Sequence, residues 1–86
     1  RIPFGSLVEL GIIKPGTTIF DNKKKISAKI MADGSIKHEQ TEGSIHKVAA
    51  TILGAESCNG WTYWHFSLNG QTVPIDHLRQ RLISSN

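Results

Sequence analysis

The hydrophobic pattern changes its period along the chain, and each period predicts one type of element. In residues 25–30, polar side chains alternate with Ile26, Ala28 and Ile30. A period of two is typical of a strand with one buried face. After Ser44 the apolar side chains recur three and four residues apart, which predicts an amphipathic helix. These positions are Ile45, Val48, Ala49, Ile52 and Leu53. The chain therefore combines strands with helices.

Turn sequences separate the remaining elements. Asp33-Gly34 and Asn69-Gly70 are strong signals of tight hairpin turns, and Gly54 predicts the end of the helix that Ser44 caps. The other predicted elements are a helix capped by Ser6, strands at 17–20, 35–39, 61–68 and 71–73, and a helix capped by Asp76 with Arg79 and Arg81 outward. The predicted order is helix, three strands, helix, two strands, helix. This is an α+β fold with an antiparallel sheet of about five short strands and three short helices.

Aromatic residues are concentrated between positions 61 and 64. Alternation along a strand in this region places Trp64 in the core and both Trp61 and Tyr63 on the opposite face. Exposed aromatic side chains can stack on unpaired bases or wedge into a duplex. The alternative is a second small apolar cluster that a terminal helix covers.

Composition limits the classes of function. A chain of 86 residues forms one small domain with little room for a catalytic scaffold. Ten basic and seven acidic side chains give a net charge of +3, which permits nucleic-acid binding without requiring it. No apolar run approaches the ~20 residues that a membrane span needs. Because the chain begins at Arg1, we expect a fragment of a larger protein.

No catalytic or metal-binding motif is present among the polar residues. The four histidines and Cys58 lack the paired spacing of zinc ligands. No spacing supports a nucleophile with its base, and no glycine-rich phosphate loop occurs. We therefore interpret Cys58 as a packed small residue, compatible with a reducing cytoplasm, and expect no catalytic residue, metal or cofactor in this chain.

The start of the helix after Gly43 is the first candidate binding site. A helix N-terminus offers free N–H donors and a partial positive charge. Gly43 allows close backbone approach, Ser44 adds a hydroxyl group and Lys47 adds charge, with His46 between them. Together they form a candidate phosphate-binding corner. The alternative is that Ser44 only caps the helix and Lys47 is solvated.

A lysine cluster is the second candidate. It comprises Lys23, Lys24 and Lys25. Lys29 lies on the same predicted strand as Lys25, and Lys37 lies on the next predicted strand. Such a patch could follow a phosphate backbone. The alternatives are a solvated sheet face and lysines that protect an edge strand from pairing.

Three ordered motifs resemble a known family. They are Gly-Ser-Ile-His-Lys-Val at 43–48, Cys-Asn-Gly-Trp-Thr-Tyr-Trp at 58–64 and Val-Pro-Ile-Asp-His-Leu-Arg at 73–79, with weaker matches at 2–9, 13–16 and 32–35. Together they are similar to the RAMA domain (restriction enzyme and adenine methylase associated). That domain forms the C-terminal part of bacterial adenine-N6 DNA methyltransferases, and the cell-cycle-regulated GANTC enzymes of alphaproteobacteria are the most similar group.

The resemblance implies a role in a restriction–modification or related DNA methylation enzyme. It implies a DNA-binding accessory domain that is inactive alone, because the catalytic domain, which binds S-adenosylmethionine, would precede Arg1. By motif, Ser44, Asn59 and Trp61 match positions associated with DNA contact. We expect the interface to include also Gly43, His46, Lys47, Gly60 and Tyr63.

The implied partners are DNA and the catalytic domain of the same chain, with no membrane partner. A homodimer of the parent enzyme is compatible with this role. The second hypothesis is a protein-interaction or dimerisation module in which exposed Trp61 and Tyr63 form the hot spot.

Overall fold

A computed structural model describes residues 2–84, so Arg1, on which the expectation of a fragment rests, lies outside them. Six strands and four helices occur in the described part. They are α1 (Phe4–Glu9), β1 (Thr18–Phe20), β2 (Ser27–Ile30), β3 (Ile36–His38), β4 (Thr41–Gly43), α2 (Ile45–Leu53), α3 (Gly60–Tyr63), β5 (His65–Leu68), β6 (Gln71–Pro74) and α4 (Asp76–Ser84). The predicted α+β class is confirmed, but one strand and one helix were missed.

All strand pairs in the sheet are antiparallel, in the order β4-β3-β2-β1-β5-β6. Both predicted hairpin turns are confirmed. Asn69 and Gly70 have φ values of 52° and 80°, as a type I′ turn requires. In the other turn, Ser35 donates hydrogen bonds from its hydroxyl and its N–H to Asp33 Oδ1, and these bonds lower the pKa of Asp33.

One face of the sheet carries the core. Ile19, Ala28, Ile30 and Ile36 point to this face and share a cluster with Phe66 of β5. The helices add their apolar sides to the same cluster, which also contains Phe4, Leu7, Ile45, Val48, Ala49, Trp61, Trp64, Ile75 and Leu78. The predicted core position of Trp64 is confirmed, since its side chain is completely buried.

The missed strand β4 lies directly before α2. Residues 41–43 are Thr-Glu-Gly and contain no apolar side chain, so no alternation of apolar and polar residues predicts a strand here. Pairing decides the structure instead, because Ile36 lies opposite Gly43 and His38 lies opposite Thr41. The residues directly before the predicted helix therefore form the edge strand of the sheet.

The predicted strand at 61–68 is wrong in its first half. Asn59 Oδ1 accepts a hydrogen bond from the Trp61 N–H at 3.0 Å, and residues 60–63 form the short helix α3. In a helical turn, residues three apart share a face, so Trp61 and Trp64 both face the core. Trp61 is only 5% exposed, which corrects its predicted position on the outer face. The alternative of a second, separate apolar cluster is also wrong, because Trp61 belongs to the same core cluster as Trp64.

The terminal helices also differ from expectation. Pro3, with extended backbone, occupies the N-cap position of α1, so Ser6 lies inside that helix rather than capping it. Asp76 is the first residue of α4, and Arg79 turns inward over Trp61 although we expected it outward. Within residues 2–84, no helix has the length and apolarity to cross a bilayer.

Candidate nucleic-acid interface

A cavity of about 800 Å³ opens beside the first residues of α1 and α2 and the loop that leads into α3. Its lining comprises Ile2, Pro3, Phe4, Gly5, Gly34, Ser44, Ile45, His46, Ser57, Cys58, Asn59, Trp61 and Arg79. The structure thus brings together four residues predicted from separate motifs, namely Ser44, His46, Asn59 and Trp61. We call this space the main cavity.

Ser44 forms the predicted N-cap of α2. Its Oγ accepts a hydrogen bond from the Lys47 N–H at 3.0 Å, and Gly54, in the left-handed conformation, ends the helix. Ser44 Oγ donates no hydrogen bond within residues 2–84, so its proton is available to a ligand. Lys47 lies outside the main cavity and lines an adjoining groove with Ser44 and His46.

Replacing Ser44 with alanine is expected to lower the free energy of unfolding by about 1 kcal/mol, because one N–H of the first helical turn loses its acceptor. Urea denaturation of the two proteins measures this difference. Ser67→Ala is the matched control, because Ser67 is exposed on β5. A loss at Ser67 as large as the loss at Ser44 would contradict the capping role.

Contacts between α3 and the start of α2 fix one wall of the main cavity. The Gly60 N–H donates to His46 Nδ1 at 2.9 Å, which places the proton of a neutral His46 ring on Nε2. Trp64 Nε1 donates to the Ile45 carbonyl at 3.0 Å. A Cβ atom on Gly60 would lie 2.5 Å from the Ile45 carbonyl carbon. Gly60 is buried, so it shapes the site by close approach rather than by contact with a ligand.

Asn59 has an unused hydrogen-bond donor at the N-terminus of α3. Its Oδ1 accepts from the Trp61 N–H, and its carbonyl accepts from the Tyr63 N–H at 3.1 Å. The Nδ2 amide donates no hydrogen bond within residues 2–84, and Asn59 is exposed. The side chain therefore caps α3 with its oxygen and leaves its nitrogen free for an acceptor.

Arg79 is the site residue that the sequence reasoning missed. Its guanidinium carbon lies 4.4 Å from the centre of the Trp61 ring, and its Nη2 lies 2.6 Å from Asp76 Oδ1. This contact is an ion pair whose groups are not aligned for a hydrogen bond. Arg79 Nε is buried and has no hydrogen-bond partner within residues 2–84. The i,i+3 spacing of Asp76 and Arg79 was the available signal.

Tyr63 does not reach the main cavity. It is half-buried, packs edge-on against Trp64 with ring centroids 4.8 Å apart, and lines a second groove of about 530 Å³ that also contains Lys23. Burial raises the pKa of its hydroxyl group above the usual value of 10.0. The prediction that Tyr63 shares an exposed face with Trp61 is therefore wrong.

The predicted lysine cluster is also separate from the main cavity. Lys23, Lys24 and Lys25 lie between β1 and β2, where Lys24 Nζ stands 5.2 Å from the centre of the Phe20 ring. Lys29 lies within β2. None of these four lysines lines the main cavity. The basic residues and the polar corner therefore do not form one continuous lining.

Cys58 is a half-buried free thiol on the cavity wall. Within residues 2–84, no group of three or more His, Cys, Asp or Glu side chains is arranged to hold a metal ion. Gly43 lies beside the adjoining groove, and a Cβ there would stand 3.2 Å from Lys47 Cδ. Gly43 thus gives the Lys47 side chain room to lie along the end of β4.

Comparison with known proteins identifies the family. Residues 1–86 match the family described as Restriction Enzyme Adenine Methylase Associated. The chain belongs to the RAMA family. This RAMA domain is also 30% identical over 79 residues to the Type II methyltransferase M.HinfI of Haemophilus influenzae. The aligned region covers 92% of the chain and 22% of M.HinfI, so the domain spans about a fifth of that relative.

Proposed function

We propose that this RAMA domain binds DNA as the accessory, C-terminal domain of a site-specific adenine-N6 DNA methyltransferase. Membership of the family and similarity to a Type II methyltransferase support the class of parent enzyme. The observation that carries the DNA contact is the main cavity, where the Ser44 hydroxyl and the Asn59 amide have unused donors and the Arg79 guanidinium lies in the same lining. Three donor groups on one cavity suit an anionic, oxygen-rich ligand.

A phosphate group of the DNA backbone fits these donors. Ser44 stands at the positive end of the nine-residue helix α2, which favours an anion in front of it. Arg79 is held in place by Trp61 and Asp76, so little side-chain entropy is lost when it binds. Asn59 would contact a base edge or a second phosphate oxygen. His46 and Lys47 extend the same surface into the adjoining groove.

Trp61 has a supporting role in this proposal. One face of its ring is covered by Arg79, and Phe4 packs edge-on against it with ring centroids 5.9 Å apart. The ring is therefore not available for stacking on a base in this arrangement. Trp61 instead holds the guanidinium of Arg79 at the wall of the main cavity, and Gly60 and Tyr63 keep α3 in place.

The catalytic domain of the parent enzyme would bind S-adenosylmethionine and transfer the methyl group. The RAMA domain would supply DNA affinity and assist target binding, and we expect it to be inactive alone. Its partners in this proposal are DNA and that catalytic domain, in the bacterial cytoplasm. The case for a dimerisation module relied on an exposed Trp61, and the burial of that residue removes the argument, although a dimeric parent is compatible with the proposal.

Ser44→Asp is expected to weaken DNA binding at least about tenfold, because a carboxylate would stand where the phosphate binds and like charges repel. Ser44→Asn is the matched control: asparagine and aspartate cap helices about equally well, so both variants should keep the stability of the parent domain. Fluorescence anisotropy with labelled duplex, mismatched and single-stranded DNA at about 50 mM and 200 mM salt measures the affinities.

Two results would contradict the proposal in different ways. Equal affinities of Ser44→Asp and Ser44→Asn for DNA would show that no phosphate group binds beside Ser44 in the main cavity. If the parent domain binds none of the three DNA forms at the lower salt concentration, the proposed DNA-binding function itself is wrong.

A further inference from the structure

Lys29 and Lys37 form a pair of like charges on the sheet. They lie directly opposite each other in the pairing of β2 with β3, and both are exposed. Lys37 also lies opposite Glu42 of β4, yet neither lysine forms an ion pair within residues 2–84. Like charges directly opposite each other destabilise an antiparallel pair. Glu42 offsets part of this repulsion from one side, and an anionic partner above the outer face would relieve the rest.

Protection of a sheet edge does not explain this pair. Lysines on edge strands prevent unwanted pairing between sheets, but β2 and β3 are both interior strands in the order β4-β3-β2-β1-β5-β6. The neighbouring residues Ile30 and Ile36 point into the core. Because side chains alternate along a strand, Lys29 and Lys37 point to the opposite, outer face of the sheet.

The outer face offers charge and few apolar anchors. Its strand residues include Thr18, Ser27 and Ser67, all exposed. Glu42 lies on this face opposite Lys37, and the half-buried ring of Phe20 is covered by Lys24. The large exposed apolar side chains of the described residues are Leu10, Ile12, Leu53 and Ile83, and none of them lies on a strand. A protein interface takes most of its affinity from buried aromatic and apolar anchors. A nucleic-acid backbone needs only charge, so the outer face fits a polyanion better than a protein.

The outer face begins close to the main cavity. Gly34, in the turn between β2 and β3, lines that cavity. The Ile30–Ile36 pair lies next to the turn, and the Lys29–Lys37 pair follows it directly. A DNA strand held in the main cavity would reach the lysine pair by passing around this turn.

We propose that the outer face at Lys29 and Lys37 is a second DNA-contact surface, which binds the phosphate backbone that flanks the segment held in the main cavity. The choice of DNA as the polyanion rests on the proposed function. The surface itself differs from the main cavity in its residues, in the face of the sheet that it uses and in its chemistry. It binds by charge alone, and it is therefore independent of base sequence.

The salt dependence of duplex binding tests this surface. Each phosphate contact adds about 0.9 to the slope of log K against log salt concentration, so the double variant Lys29→Gln/Lys37→Gln should lower the slope by about 2 units. The charge-conserving variant Lys29→Arg/Lys37→Arg should keep the slope of the parent domain. Arg81→Gln, which removes an exposed charge on α4, should leave the slope nearly unchanged.

A length series separates the two surfaces. The double glutamine variant should lose affinity for a duplex of about 30 base pairs and lose less for one of about 10 base pairs, a single helical turn. Thermal unfolding midpoints of all variants should match or exceed that of the parent domain, because only exposed side chains change. An equal slope in the parent domain and the double glutamine variant would overturn the inference. That result is also the one expected if the two lysines bind a protein partner instead of DNA.

The outcome is distinguishable from failure of the main cavity. If Ser44→Asp loses affinity while the slope is unchanged in Lys29→Gln/Lys37→Gln, the main cavity stands and the second surface is wrong. If the slope falls while Ser44→Asp binds like Ser44→Asn, the lysine surface stands and the phosphate site at Ser44 is wrong.

Discussion

Gly60→Ala is expected to lower the free energy of unfolding by about 3 kcal/mol, the upper end of the usual cost of overpacking a core. The new Cβ atom would lie 2.5 Å from the carbonyl carbon, 2.6 Å from the carbonyl oxygen and 2.8 Å from the Cβ of Ile45. Two of these three atoms are backbone of α2, so no side-chain rotation can relieve the clash. The two helices must move apart.

The same movement should weaken DNA binding beyond the loss of folded protein. Separation of α3 from α2 breaks the hydrogen bonds from Gly60 N–H to His46 Nδ1 and from Trp64 Nε1 to the Ile45 carbonyl, and it displaces Asn59 from Ser44. Urea denaturation gives the stability. Anisotropy at a temperature where the variant remains folded gives the affinity.

Gly5→Ala is the matched control for Gly60→Ala. Gly5 also lines the main cavity, but a Cβ there would meet no atom within 4 Å. Within α1, alanine is favoured over glycine by up to about 1 kcal/mol, so this variant should be as stable as the parent domain or slightly more stable. Equal stability of Gly5→Ala and Gly60→Ala would show that α3 does not pack against α2 as closely as described.

Local sequence signals predicted the elements that local interactions determine. Ser44 and Gly54 mark the ends of α2 because the cap and the left-handed stop depend on neighbouring residues alone. Asn69-Gly70 specifies its turn in the same way. The strand β4 has no such signal, since its Thr-Glu-Gly sequence becomes a strand only through pairing with β3.

The aromatic segment shows why Trp61 and Tyr63 were misplaced. Alternation assigned Trp61 to the outer face because residues 61–68 fit a continuous strand. The side chain of Asn59 caps a four-residue helix instead. The Trp61 side chain therefore points into the core and not to the outer face. Arg79 was missed for a related reason: its contact with Trp61 joins α4 to α3, and sequence periodicity does not predict how two helices pack against each other.

Trp61→Ala is expected to lower the free energy of unfolding by about 3–5 kcal/mol, the usual cost of truncating a buried aromatic residue. The variant loses the contacts with Phe4 and Arg79 and leaves a hole beside the main cavity. For 86 residues, the total stability expected is about 4–13 kcal/mol. At the lower end of that range a considerable part of the variant population would be unfolded. Its DNA binding should fall with the unfolded fraction and, in the folded molecules, with the loss of the Trp61 ring that holds Arg79.

An exposed, base-stacking Trp61 would give the opposite pair of results. Its removal would change stability by less than about 0.5 kcal/mol and would cost about 1–3 kcal/mol of affinity. Urea denaturation followed by fluorescence distinguishes the two cases, since Trp64 becomes the only tryptophan in the variant. Unchanged stability with reduced affinity would contradict the supporting role of Trp61.

Trp61→Phe completes the test because it keeps an aromatic face for the Arg79 guanidinium. It should retain most of the stability, and its DNA affinity should stay within a few-fold of the parent domain. Arg79→Gln in the same experiment removes the cation and should lower the affinity by about tenfold, the size of a charge-assisted hydrogen bond. If Trp61→Phe loses as much DNA affinity as Arg79→Gln while both variants remain folded, the indole ring itself contacts DNA. The role of Trp61 would then not be to hold the Arg79 guanidinium in place.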